Sequence, residues 1–96
     1  MDNSQKWNYL SKESKVLLEI HVQNTKGMVP HFSSLAKSLE SKGLDRISLH
    51  HALDNLIDMG AINASWNKTD RTWVREFSID KNSKEFIEAL YKNMFE

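Results

Sequence analysis

Hydrophobic positions along the chain fall on three helical stripes, switch to strict alternation, and then return to helical spacing. From Ser11 the run SKESKVLLEIHVQNTKG sets Val16, Leu17, Ile20 and Asn24 three and four residues apart, with Ser11 placed to cap and Gly27 to terminate. That spacing predicts a helix over residues 12–24. Met28-Val29-Pro30 is too short for a helix, and its proline cannot donate to a central ladder, so it reads as a short edge strand or an extended link. In HFSSLAKSLESKG, Phe32, Leu35, Ala36 and Leu39 share one face and Gly43 ends the run, giving a second helix of about three turns. The third helix has the sharpest boundary: Asp45 is a natural N-cap, Leu44 stands before it as a staple toward Leu49, and Leu49, Ala52, Leu53, Leu56 and Ile57 form the stripe that Gly60 stops.

After Gly60 the period becomes 2. Ile62, Ala64 and Trp66 alternate with Asn63, Ser65 and Asn67, and a second alternation runs through Trp73, Arg75, Phe77 and Ile79. A hairpin closing on Lys68-Thr69-Asp70-Arg71 would set Trp66 opposite Trp73, Ala64 opposite Arg75 and Ile62 opposite Phe77. The tail is helical again, with Phe86, Leu90 and Met94 in one row and Ile87, Tyr91 and Phe95 in another, an apolar arc wider than a single packing contact requires. The expected organisation is an N-terminal strap over 1–10 carrying Trp7, Tyr9 and Leu10, a folded unit over 11–79 and a C-terminal helix over 80–96.

Composition narrows the class of protein. A chain of 96 residues, 40% apolar and 27% charged, has the make-up of one folded domain rather than of a disordered segment. With 13 basic and 13 acidic residues no overall field draws it to nucleic acid or to an anionic membrane, so any basic surface must be local. The lack of cysteine removes disulfides, thiolate zinc sites and cysteine nucleophiles, and suits a reducing compartment. MDNSQKWNYL has no apolar core of a leader, and no run is long enough to span a bilayer, so a soluble, cytoplasmic protein without a membrane partner is expected.

Two helices joined by a short turn, the second leading directly into a hairpin, form an arrangement that sets one helix in a groove and the ribbon beside it. On Leu35-Ala36 and Leu39, Leu49 and Leu53 to Leu56, Gly60-Ala61-Ile62 and Phe77-Ser78-Ile79-Asp80, the chain resembles the winged helix-turn-helix family, in particular small prokaryotic and archaeal regulators of the MarR and ArsR type. The resemblance covers roughly residues 11–80. It implies an α+β, mostly helical fold: a three-helix core, a two-stranded wing and an extra C-terminal helix. It also implies a DNA-binding transcriptional regulator that places helix 3 (about 46–59) in the major groove of double-stranded DNA and the 67–72 wing on the phosphate backbone.

Carried onto this sequence, the family's reading helix exposes Arg46, Ile47, Ser48, His50, His51, Asp54 and Asn55, of which Arg46, Ser48, His50, His51 and Asn55 can donate to base edges or phosphates. Ser33 and Ser34 at the start of helix 2, and Lys68 and Arg71 on the wing, are the expected phosphate contacts. Phe86, Ile87, Leu90, Tyr91, Met94 and Phe95 are the expected homodimer surface. One feature runs against the pattern: from Leu44 to Met59, Asp45, Asp54 and Asp58 face the single Arg46. That acidity, with the zero net charge, keeps a second reading open, a winged-helix module that binds a protein partner and not DNA.

The remaining features have simpler expected uses. Trp66 and Trp73 are expected to pair across the ribbon and close it onto the core, their other use being a platform for a ligand or single-stranded nucleic acid. Arg75 would lie between Trp73 and Phe77, diagonal to Trp66, in a cation–π contact. The four histidines do not make a metal site: His50 and His51 point about 100° apart on a helix, and Asp54 is the only such partner at helical spacing. No nucleophile and base, carboxylate pair or glycine-rich phosphate loop can be picked out, so no enzyme and no cofactor is expected.

Overall fold

Ser11 opens the first helix by accepting the Ser14 N–H at 3.1 Å, as a serine before a helical stripe should. The computed structural model describes residues 6–96. Its elements follow as α1 (Lys12–Thr25), α2 (Phe32–Glu40), α3 (Arg46–Asp58), β1 (Ile62–Lys68), β2 (Trp73–Ile79) and α4 (Lys84–Phe95). This is an α+β, mostly helical winged helix: three helices around a core, a two-stranded antiparallel wing and a C-terminal helix.

The stripes read from the sequence converge on one core, except that Asn24 of the α1 stripe is exposed and Leu18, outside that stripe, is buried. Val16, Leu18 and Ile20 of α1, Leu35 and Leu39 of α2, Leu49 and Leu56 of α3, Ile62 at the base of the wing and Ile87 of α4 are buried together. Each such side chain contributes roughly 1.5–3 kcal/mol relative to leaving it in water. The 28–30 link is extended, and it docks on the wing: Phe77 N–H donates to the Pro30 carbonyl at 2.9 Å and His31 makes a single antiparallel bridge to Glu76. Gly43 turns α2 into α3 at φ +81°, a left-handed conformation that a side chain disfavours.

A buried polar chain fixes α2 on α1. Lys42, in the turn after α2, lies 3.1 Å from Glu19 Oε2, while Glu19 Oε1 accepts from Gln23 Nε2 at 3.2 Å and Gln23 Oε1 accepts from the Ser34 hydroxyl at 3.1 Å. Glu19 and Gln23 are almost fully buried, and a charge or amide in that position must be satisfied to be tolerated. Both ends of α2 are therefore tied to the same face of α1.

The hairpin closes one step later than the sequence predicts. Thr69 N–H donates to the Thr72 carbonyl at 2.7 Å, and Thr72 N–H donates back to Thr69 Oγ1 at 3.2 Å. The two threonines thus close the loop on themselves, and Lys68 becomes the last strand residue, opposite Trp73. The true pairs are Trp66 with Arg75, Ala64 with Phe77 and Ile62 with Ile79. Because the slip is two residues, every side chain keeps its face while every partner changes.

The apolar arc of α4 is largely consumed within the chain. Ile87 is fully buried, the Tyr91 ring lies 5.3 Å from His21, and the Phe95 ring lies 5.7 Å from Trp7. Trp7 is buried too, with the Lys42 ammonium 4.5 Å from its ring centre. Of the six residues expected to form a dimer surface, only Phe86 is well exposed, while Leu90, Tyr91, Met94 and Phe95 are half-buried. No helix among the described residues is long and apolar enough to cross a membrane.

Candidate nucleic-acid interface

Helix α3 is set by its N-cap. Asp45 accepts the Ser48 N–H at 2.7 Å, and this backbone bond, with help from the Ser48 hydroxyl, holds the Asp45 carboxyl below the usual carboxylate range. The buried stripe then fixes the rotation of the helix, leaving its remaining residues distributed over three sides.

Toward α1, Asn55 Nδ2 donates to Glu13 Oε1 at 3.1 Å. That bond is the first cause of the lowered Glu13 carboxyl pKa. Ser48, on the same side, is half-buried. Toward α2, His50 stacks on Phe32 with ring centres 4.1 Å apart and planes at 20°, and the Arg46 guanidinium lies 5.9 Å from the same Phe32 ring. Between these sides, Ile47 and His51 face solvent. The expected readers therefore do not share one face: Asn55 and His50, five residues apart, stand about 140° apart around the axis. Asn55 is exposed, and its carboxamide makes an interhelical surface bond to Glu13 on the side of α3 away from His50. His51, Ile47, Arg46 and the outer edge of His50 remain on the open side.

The start of α2 also differs from expectation. His31 is the N-cap: its Nδ1 accepts the Ser34 N–H at 3.4 Å, and Ser34 Oγ accepts the His31 N–H at 3.1 Å, a reciprocal capping box. Ser34, bonded on that side and to Gln23 on the other, has its hydroxyl engaged within the chain. Ser33 stays exposed at the helix start. On the wing, Lys68 and Arg71 are exposed, and among the described residues neither they nor Arg46 and Arg75 lie within ion-pair distance of a carboxylate.

The expected tryptophan pair is not a core contact. Trp66 and Trp73 are 64% and 58% exposed, because the ribbon carries them past the end of the core that Ile62 and Phe77 reach. They line a groove of about 540 Å³ between the wing and the helix pair, with Phe32, His50, Leu53 and Asp54 on the opposite wall. Arg75 stands across from Trp66 rather than diagonal to it, and its guanidinium lies 5.6 Å from the Phe77 ring centre. Among the described residues no three histidine or carboxylate side chains gather within metal-binding reach. The groove was hidden from sequence reasoning because its rings come from four elements. The Thr69/Thr72 spacing, which sets the loop, was the signal that places Trp66 opposite Arg75.

No protein-family model matches the chain, and no curated protein matches it significantly. In three dimensions it is similar to the crystal structure of the circadian clock associated protein Pex from Anabaena, with a TM-score of 0.67 over 88% of this chain and 77% of that one, at 20% identity. At that identity the likeness is one of fold.

Proposed function

We propose that the protein is a DNA-binding transcriptional regulator of the small winged-helix kind, with the open side of α3 entering the major groove and the wing tip lying on the backbone. The observation that carries this reading is the juxtaposition of α3 with the wing. Arg46, Ile47, His50 and His51 are exposed on α3, and Lys68 and Arg71 are exposed at the ribbon tip without a carboxylate partner among the described residues. Arg and His donate to guanine and phosphate, and Ile47 supplies an apolar contact of the kind thymine methyl groups take. The winged-helix likeness to Pex supports the same use by analogy of fold. The experiment is duplex binding measured against salt, since neutralised phosphates set the slope.

Regulators of this kind read paired half-sites as dimers, and α4 is the proposed contact. Phe86, 65% exposed, stands with the 71% exposed Met59 beside Leu17 on one apolar patch that a second copy would cover. Sedimentation equilibrium of the parent and of Phe86→Glu tests this: a micromolar dimer lost in the variant supports it, and a monomeric parent contradicts it.

The acidity of α3 favours one other reading, a protein-interaction module. Asp54 and Asp58 are both exposed on the helix that would meet phosphates. Under that reading the chain binds no duplex even at low salt.

A further inference from the structure

Large rings facing water, a guanidinium without a carboxylate and a lone acid meet in the groove between α3 and the wing. We propose that this groove holds an unpaired nucleobase together with its phosphate. The proposal rests on the nucleic-acid reading above and extends it from the duplex to locally opened strands.

The walls supply each element of such a site. Phe32 and His50, already stacked on each other, form one side, and Trp66 and Trp73 project from the wing on the other. Ring faces of this kind stack on any base, and the cavity, about 540 Å³, falls within the size range of sites that enclose small ligands. Arg75 is half-buried at the same surface and, among the described residues, has no ion pair, so its planar donors are available to phosphate oxygens. Asp54 lines the α3 side. On a helix meant only for duplex phosphates this carboxylate is unfavourable, but in the groove it can accept from an exocyclic amine such as N4 of cytosine. Thymine carries no such amine.

A paired, stacked base cannot enter, because its faces are covered by its neighbours; an extruded or single-stranded base can. An apolar protein side chain would also fill the groove, but it would desolvate Arg75 and Asp54 without pairing either one. The observations therefore favour the nucleotide.

The test uses the whole chain, with tryptophan quenching and anisotropy of labelled DNA as readouts. The probes are oligo-dC and oligo-dT of about 12 nucleotides, a perfect duplex, and the same duplex with one bulged cytosine. Both tryptophans are more than half exposed, so Trp66→Ala and Trp73→Ala should melt as the parent does. The expected result is bulged duplex held about tenfold tighter than perfect duplex, with that advantage lost in either variant while perfect-duplex affinity stays put. Oligo-dC should exceed oligo-dT, and Asp54→Ala should level them. Equal affinity for bulged and perfect duplex in the parent overturns the proposal and leaves the duplex reading intact. Single-strand binding that needs the tryptophans, without any duplex binding, supports the groove and removes the duplex reading. Binding to none of the probes, or a dC preference that survives in Asp54→Ala, contradicts the site as described.

Discussion

Asn55 Nδ2 and Glu13 Oε1 meet at 3.1 Å on the surface between α1 and α3, so the carboxamide of α3 most suited to reading adenine already has a partner within the chain. Asn55→Ala should therefore leave discrimination between DNA sites unchanged. The altered group is Glu13, whose carboxyl should rise toward the ordinary range once its strongest stabilising hydrogen bond is removed. Carboxylate-observed NMR titration of parent and variant, beside binding to two duplex sequences, checks both halves. Lost discrimination of roughly 1–3 kcal/mol would return Asn55 to the reading face.

Ser34 is the hinge of the capping box and of the buried chain through Gln23. Ser34→Ala should destabilise the fold by about 1–2 kcal/mol, through the lost cap and the unpartnered Gln23 carbonyl, and should leave the salt dependence of DNA binding as it is. Urea denaturation and a salt titration of the variant separate the two effects. A flattened salt slope with unchanged stability would mean that the hydroxyl touches phosphate.

The Glu19–Lys42 pair predicts an asymmetric double-mutant cycle. Lys42→Met leaves Glu19 buried with only Gln23 as partner and should cost about 2–3 kcal/mol, the moderate figure reflecting the part-exposed lysine. The double change Glu19→Gln with Lys42→Met should be more stable than Lys42→Met alone. Strictly additive losses in urea melts would show that the pair does not interact.

How legible these features were follows from how far apart their partners lie. Local patterns were readable: Ser11 and Asp45 capped the helices expected of them, and the stripes of α2 and α3, with Val16, Leu17 and Ile20 of α1, met in the core because helical spacing records which side faces inward, while Asn24 is exposed and Leu18 took a core place the stripe had not included. The wing's faces were readable and its partners were not, since alternation fixes parity while the Thr69–Thr72 closure fixes register. His31 was hidden as a cap because a histidine nitrogen is a less common substitute for a hydroxyl or carboxylate oxygen. Glu19 with Lys42, Asn55 with Glu13, and Phe32 with His50 are tertiary pairings for which spacing along one element carries no signal. The wide arc of α4 was visible, but not that Trp7 and His21 cover part of it.

Asp45 gives the fold a definite acid dependence. Its folded-state carboxyl is depressed by the Ser48 N–H, so its contribution is fully present above the unfolded-state value and is lost as pH falls through the lower, folded one. Asp45→Ala should melt below the parent at neutral pH, and the gap should narrow once the pH drops under about 4. Thermal melts of both proteins across that interval provide the check, and a gap independent of pH would remove the charged cap as its source.

The salt dependence of binding to duplex DNA tests the central claim most directly. With Arg46, Lys68, Arg71 and Arg75 as the available cations, the logarithm of affinity should fall against the logarithm of salt with a slope of about −2 to −4 per protomer. Lys68→Ala and Arg71→Ala should each flatten it by about one while weakening all duplexes alike. A slope near zero, or no duplex binding at about 50 mM salt, would contradict a duplex-binding role for the α3 and wing surface.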